Sequence, residues 1–187
     1  IISDETSVVS EIKSIYSFFA KIGCKNVGEK IVTKLYNGGF NTITKILEAS
    51  SDDFLKLDGF KEKLSTLVYK NIHDSLLEAT QPVILGASGV FGYGFGLKKT
   101  TSLFEHIPDL LTSDCNDLPD KISHVDGFSV ESANKIMEKL TSAKRFLEDI
   151  KPFTQEKVII KKETTTTVVF SGFRNKDLEK KLNDNGI

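Results

Sequence analysis

Apolar residues recur at helical spacing through the first 150 positions of the chain. Between residues 10 and 21, Ile12, Ile15 and Phe19 fall on one face of a helix. Shorter segments with the same spacing are Ile31–Leu35, Leu64–Val68 and Ile136–Leu140. The pattern predicts a mainly α-helical domain over residues 10–150.

A triplet that begins with glycine or asparagine interrupts this helical pattern four times. The four copies, each with an apolar central residue, are Asn26-Val27-Gly28, Gly59-Phe60-Lys61, Gly94-Phe95-Gly96 and Gly127-Phe128-Ser129. Their third residues stand at positions 28, 61, 96 and 129, so successive copies are 33, 35 and 33 residues apart. Four positions after each third residue comes a short side chain that lets two helices approach closely: Val32, Ser65, Thr100 or Ala133. The repeat predicts a unit of helix, tight turn and helix.

Two other architectures are compatible with this period. Tetratricopeptide and ankyrin solenoids have repeats of similar length, but the residue patterns that define them are absent here. In a plain helical bundle that binds protein, the glycines would only separate the helices. The charge distribution helps to decide between this bundle and a binding protein.

A glycine turn that opens a helix is suited to binding phosphate. Glycine lets the backbone approach the anion, the first N–H groups of the helix are free, and the helix dipole favours negative charge. Copy three has both glycines and two lysines that we expect to converge on one phosphate; Lys61 and Ser129 replace the second glycine of copies two and four. We also expect Ser129 to cap its helix. The candidate phosphate-binding residues are Asn26, Gly28, Lys30, Gly59, Lys61, Gly94, Gly96, Lys98, Lys99, Gly127 and Ser129.

Positive charge is concentrated around the four turns. Four windows, 21–36, 56–70, 90–100 and 121–145, carry +3, +2, +2 and +2, or +9 together. Because the whole chain carries −1, the remaining residues carry −10. This asymmetry predicts one basic face that lies along a nucleic-acid backbone. With only two arginines in the chain, Arg145 and Arg174, we expect binding without sequence preference.

Composition excludes several other classes. No apolar run approaches the ~18 residues of a membrane span, and the 187-residue chain has 39% hydrophobic residues. Cys24 and Cys115 are far apart and outside any CxxC pair, and the three histidines lack metal-ligand spacing, so we expect neither a metal site nor catalytic residues. The chain opens without methionine or a signal peptide, which suggests a fragment of a longer protein.

Several segments of the chain resemble the helix-hairpin-helix domain of NAD-dependent DNA ligases. The segment Ile22-Gly23-Cys24-Lys25-Asn26-Val27-Gly28-Glu29-Lys30 carries this resemblance, as do residues 39–43, 55–60 and 88–99. All four turns fall in order within residues 10–150. The resemblance implies four helix-hairpin-helix motifs in two pseudo-symmetric pairs, which bind nicked double-stranded DNA. The chain departs from the family by having phenylalanine at three of the four turn centres, where isoleucine or valine is usual.

The C-terminal residues contain a second resemblance. Residues 151–166, with four consecutive threonines, are typical of a linker. Residues 167–187 then resemble the first strand and helix of an α/β BRCT module, in which Ser171 and Gly172 are candidates for the phosphate-binding turn. A helix-hairpin-helix domain followed by BRCT is the order found at the C-terminus of these ligases.

The resemblance also implies what lies outside this chain. The adenylation domain with its lysine nucleophile, the NAD-capturing segment, the OB-fold and a four-cysteine zinc site would all belong to other parts of the whole enzyme, which would use NAD, magnesium and zinc. Residues 1–187 would hold no cofactor and be inactive alone. We expect a monomeric, intracellular protein, cytoplasmic or nucleoid-associated. The rival hypothesis is a non-enzymatic DNA repair scaffold, and an upstream Lys-x-Asp-Gly motif would favour the ligase. We expect no lysine in a Lys-x-Asp-Gly sequence within this chain, and therefore no lysine nucleophile.

Overall fold

The computed structural model describes residues 2–113 and 117–154, and their side chains from residue 7 onward. The predicted BRCT residues 167–187, with Ser171 and Gly172, lie outside the described residues, as does most of the predicted linker. All of the described residues belong to one compact unit, Ile1–Gln155.

The described residues form a mainly helical fold and contain no strand, so the prediction of a mainly α-helical domain is confirmed for this part of the chain. None of the helices there is long and apolar enough to cross a membrane. A 3₁₀ turn, Lys151–Phe153, follows the last helix. In chain order the helices are α1 (Ile2–Lys21), α2 (Glu29–Asn37), α3 (Ile43–Glu48), α4 (Ser51–Leu55), α5 (Glu62–Glu78), α6 (Gln81–Ser88), α7 (Leu97–His106), α8 (Leu118–Ser123) and α9 (Val130–Ile150).

Each triplet of the repeat lies immediately before a helix. Copies one to four precede α2, α5, α7 and α9, and a helix also precedes each turn. Short polar residues fix some of the other helix starts. Ser50 and Asp53 form a reciprocal capping box at the start of α4, which satisfies two backbone donors. Thr42 caps α3 by accepting a hydrogen bond from the Lys45 amide.

Two hydrophobic cores hold these helices together. The first is drawn mainly from α1–α5, with Phe18, Phe19 and Phe54 fully buried. The second is drawn mainly from α6–α9. Phe146 on α9 packs against both. Copies one and two therefore share one core, and copies three and four share the other.

The residues that the repeat shares point into these cores. The central residues of the four triplets are at most 9% exposed. The four short side chains, Val32, Ser65, Thr100 and Ala133, are at most 2% exposed. Helices also approach closely at Gly86 of α6, where an added Cβ would lie only 2.9 Å from Leu97 Cα. Glycine is therefore required there for α6 and α7 to pack.

The packed region extends slightly beyond the predicted domain boundary at residue 150. Phe153, in the 3₁₀ turn, packs against the first core, and its ring lies 6.0 Å from the ring of His73. The first residues of the predicted linker are therefore part of the folded unit. Sequence periodicity alone does not reveal this contact, because Pro152 makes the segment look like a break.

Candidate nucleic-acid interface

The first residue of every triplet adopts a left-handed backbone conformation. Its φ angle is +60° at Asn26, +74° at Gly59, +91° at Gly94 and +81° at Gly127. Asn26 is the only residue other than glycine with a positive φ in the described part of the chain. Asparagine tolerates this conformation better than most side chains do. The conformational need for glycine or asparagine therefore lies at this first position.

The third residue of each triplet has no such requirement. Gly28, Lys61, Gly96 and Ser129 are all N-cap residues with φ between −118° and −78°, a range open to any residue. A Cβ added at Gly28 or Gly96 would meet no protein atom within 4 Å. Glycine at these two positions leaves open space above the helix start, which a ligand can use.

Free backbone donors are found at three of the four helix starts. No side chain caps α2, α5 or α7, so their first N–H groups point outward without a side-chain acceptor. At α9, the Ser129 hydroxyl accepts from the Ser132 amide at 3.2 Å, which is the expected cap. Copy four therefore offers fewer unoccupied amides to an anion than the other copies do.

The charges in the first turn of each helix differ between the copies. An acidic residue lies in the first turn of α2, α5 and α9: Glu29, Glu62 and Glu131 respectively. The first turn of α7 has none and contains Lys98 and Lys99 instead. The helix dipole and the local charge thus favour an anion most strongly at copy three.

The candidate residues lie at the surface, but the two lysines of copy three have different environments. Ten of the eleven candidates are exposed, and Lys99 is half-buried. Lys99 Nζ lies 5.7 Å from the ring centroid of Phe95 and 5.4 Å from that of Phe128. Lys99 therefore spans the turns of copies three and four through cation–π contacts. Lys98 is the lysine that remains exposed beside the helix start.

The first two turns are joined by contacts that sequence reasoning missed. Lys34, on α2, donates a hydrogen bond from Nζ to the backbone carbonyl of Asp58 at 3.0 Å, and its ammonium group occupies the space that a side chain at position 59 would need. In return, Asn71 on α5 donates to the carbonyl of Lys25 at 2.9 Å. Lys34 thus places a positive charge from copy one at the turn of copy two.

The expectation that no Lys-x-Asp-Gly sequence occurs within the chain is wrong, because Lys56-Leu57-Asp58-Gly59 has this pattern. It is part of the turn in copy two, where Lys56 caps the C-terminus of α4. Its ammonium group pairs with Asp53 at 2.7 Å, and this hydrogen bond raises the pKa of Lys56. A nucleophilic lysine needs a lowered pKa. The expectation that the tetrapeptide marks a nucleophile therefore does not apply to this copy of it.

The other titratable groups do not assemble into a catalytic or metal site within the described residues. No group of three or more histidine, cysteine, aspartate or glutamate side chains there could hold a metal ion. Burial raises the pKa of the Cys24 thiol, which makes it less reactive. His106 and His124 each contact a backbone carbonyl of their own helix through Nδ1.

Comparison with known proteins connects this geometry to DNA ligases. Residues 22–74, which include the turns of copies one and two, match the family model of the SAM-like helix-hairpin-helix tandem. The chain is 32% identical over 195 aligned positions to a DNA ligase of Acanthamoeba polyphaga mimivirus, an alignment that covers 99% of this chain and 30% of that ligase.

Two further relatives carry similar names. A putative DNA ligase 205R of Invertebrate iridescent virus 6 is 30% identical over 139 positions, which cover 74% of this chain and 22% of the relative. A DNA ligase of Aliarcobacter butzleri (strain RM4018) is 29% identical over 177 positions, 89% of this chain and 26% of that ligase. The chain spans less than a third of the length of these relatives.

Proposed function

We propose that this chain is the region of an NAD-dependent DNA ligase that binds duplex DNA without sequence preference. One observation carries the proposal: four turns with the same left-handed first residue open onto four helix starts. The similarity to DNA ligases supports it. In this account the turns are four helix-hairpin-helix motifs, arranged as the pairs one–two and three–four.

The proposed interaction is with the phosphates of the DNA backbone. Amides at the starts of α2, α5 and α7 donate to phosphate oxygens, and Lys30, Lys61 and Lys98 add positive charge. Since these groups do not read base edges, affinity should depend on the backbone and its shape. Among duplex DNAs, the proposed ligand is nicked duplex DNA, which the protein binds as a monomer.

The whole enzyme would supply the chemistry that this chain lacks. We place NAD, magnesium and zinc in domains outside residues 1–187, and we assign to residues 167–187 the beginning of a BRCT module with Ser171 and Gly172 at its turn. The described residues would contribute affinity and DNA curvature, and the protein would act inside the cell.

Salt dependence tests this function. Fluorescence anisotropy would measure binding of the 187-residue chain to labelled duplexes of unrelated sequence, with and without a nick, over a range of salt concentrations. If each turn neutralises one or two phosphates, log K should fall against log salt with a slope of roughly −4 to −7, equally for all sequences. Affinity that is absent at low salt, or independent of salt, would contradict the proposal.

A further inference from the structure

One aromatic side chain is exposed to solvent and packs against no other part of the fold. Tyr93 is fully exposed, at 106% of its reference surface, and it is the most exposed large hydrophobic residue in the described part of the chain. The second is Val130, at 67%, which is the first residue of α9. Both residues lie at the turns of copies three and four, where other surfaces of the candidate interface are polar.

Backbone geometry fixes the position of Tyr93. It lies between Gly92 and Gly94, whose φ angles are +89° and +91°. One left-handed glycine on each side makes the chain turn sharply, and Tyr93 lies at the apex of this turn. Its ring has no ring partner among the described residues, so folding gains no apolar burial from it.

The apex lies close to the proposed phosphate contact. The N-cap residue Gly96 is three positions after Tyr93, so their Cα atoms are at most about 10 Å apart. A strand of B-DNA rises about 3.4 Å per nucleotide. A ring at this apex can therefore reach the sugar or base within about three nucleotides of a phosphate bound at Gly96.

We propose that Tyr93 packs its ring against the deoxyribose and base next to the phosphate bound by the third turn. This inference rests on the proposed DNA-binding function. In a duplex the base faces are stacked on one another, so the ring would meet the deoxyribose and the exposed edge of the base. The deoxyribose is the same in every nucleotide, so the contact requires no sequence preference. Tyrosine also provides a large contact surface at low conformational cost. The third turn would thus combine an ionic contact, through Lys98, with a non-ionic one.

A tryptophan reporter tests the contact directly. The chain contains no tryptophan, so Tyr93→Trp introduces a single indole at the apex. Quenching of its fluorescence by acrylamide should fall several-fold when a saturating nicked duplex is added. A matched variant, Tyr69→Trp, places the same reporter on α5, about 12 Å along the helix from the second turn, where quenching should not change.

The outcomes separate the inference from the proposed function. If anisotropy shows that Tyr93→Trp binds DNA but its indole stays as accessible as in the free protein, the contact is wrong and DNA binding stands. Equal protection of both reporters would also overturn the contact. If the parent chain binds no DNA, both proposals fail.

Affinity measurements provide a second test. Tyr93→Ala should weaken binding about tenfold and leave the salt slope unchanged, because the lost contact is not ionic. Lys98→Ala should instead make the slope about one unit less negative. Since neither side chain is buried, both variants should unfold at the parent's temperature. Parental affinity in folded Tyr93→Ala would overturn the inference.

Discussion

The ring of Phe95 stacks on the ring of Phe128, with centroids 6.2 Å apart and planes 27° apart. These two residues are the central members of the third and fourth triplets, which lie 33 positions apart in the sequence. Their contact places the two turns side by side, and Lys99 covers both rings. The apolar centres of the third and fourth triplets thus position these two turns relative to each other.

The third turn should contribute more to DNA affinity than the second or fourth. Replacing Gly96 by valine should weaken binding by about 1–2 kcal/mol, because the side chain would block the approach of phosphate to the backbone amides. Lys61→Ala and Ser129→Ala should cost less. Anisotropy titrations of the three variants against one duplex would give the ranking.

Stability provides the control for this comparison. Gly96 has a φ of −81° and open space at its Cβ position, so valine meets no steric clash there, and the comparison requires a thermal midpoint close to that of the parent. The ranking is wrong if folded Gly96→Val binds like the parent while Lys61→Ala does not.

Asn26 should tolerate glycine but not a β-branched residue. Its left-handed backbone disfavours β-branched side chains, so Asn26→Val should lower the free energy of unfolding by about 1–2 kcal/mol. Asn26→Gly should remain close to the parent. Urea denaturation of the two variants makes the comparison, and equal stabilities would show that the turn relaxes to another conformation.

The stability of the fold should fall as the pH drops below about 6.5. Burial lowers the pKa of His73, while the Asp74 carboxylate acts in the opposite direction. Its Nε2 atom is buried without a hydrogen-bond partner in the described structure. Because the unfolded state binds a proton that the folded state disfavours, stability is lost between the unfolded pKa and the lower folded one.

Urea midpoints at pH 7.5 and 5.5 would measure this loss. In the His73→Phe variant, which keeps an aromatic ring beside Tyr69 and Phe153, the difference between the two midpoints should shrink. An unchanged difference would assign the pH dependence to other groups.

The 187-residue chain should not accept AMP from NAD. Lys56, in the Lys-x-Asp-Gly sequence, is paired with Asp53 and has a raised pKa, so its amine stays protonated and is a poor nucleophile. Incubation with NAD labelled in its AMP moiety should leave the protein unlabelled. A labelled peptide that contains Lys56 would falsify this expectation.

Local sequence patterns were sufficient to predict the turns and much of the core. The left-handed position requires glycine or asparagine, and the central residue must be apolar to reach the core, so both leave a signal at a fixed spacing. Val27 and Phe128 follow this rule and are buried. The helix after each triplet is also predicted by the sequence, through the apolar residues at helical spacing that follow the triplet.

Contacts between distant segments left no such signal. Lys34 and Asp58 are 24 positions apart, and their hydrogen bond depends on how α2 packs against the second turn. The contact of Lys99 with two aromatic rings likewise depends on the fold, and the sequence pattern indicates only phosphate binding for this lysine. The first position of each triplet does leave such a signal, because its left-handed backbone accepts only glycine or asparagine readily.

Amide chemical shifts would test most directly whether the turns bind DNA phosphate. In a ¹H–¹⁵N titration of the chain with a short nicked duplex, we predict the largest changes at the amides of Gly96, Leu97 and Lys98, with smaller ones at Gly28 and after. A saturated complex in which the amides of residues 96–98 do not move, while other surfaces such as α3 do, would contradict the account.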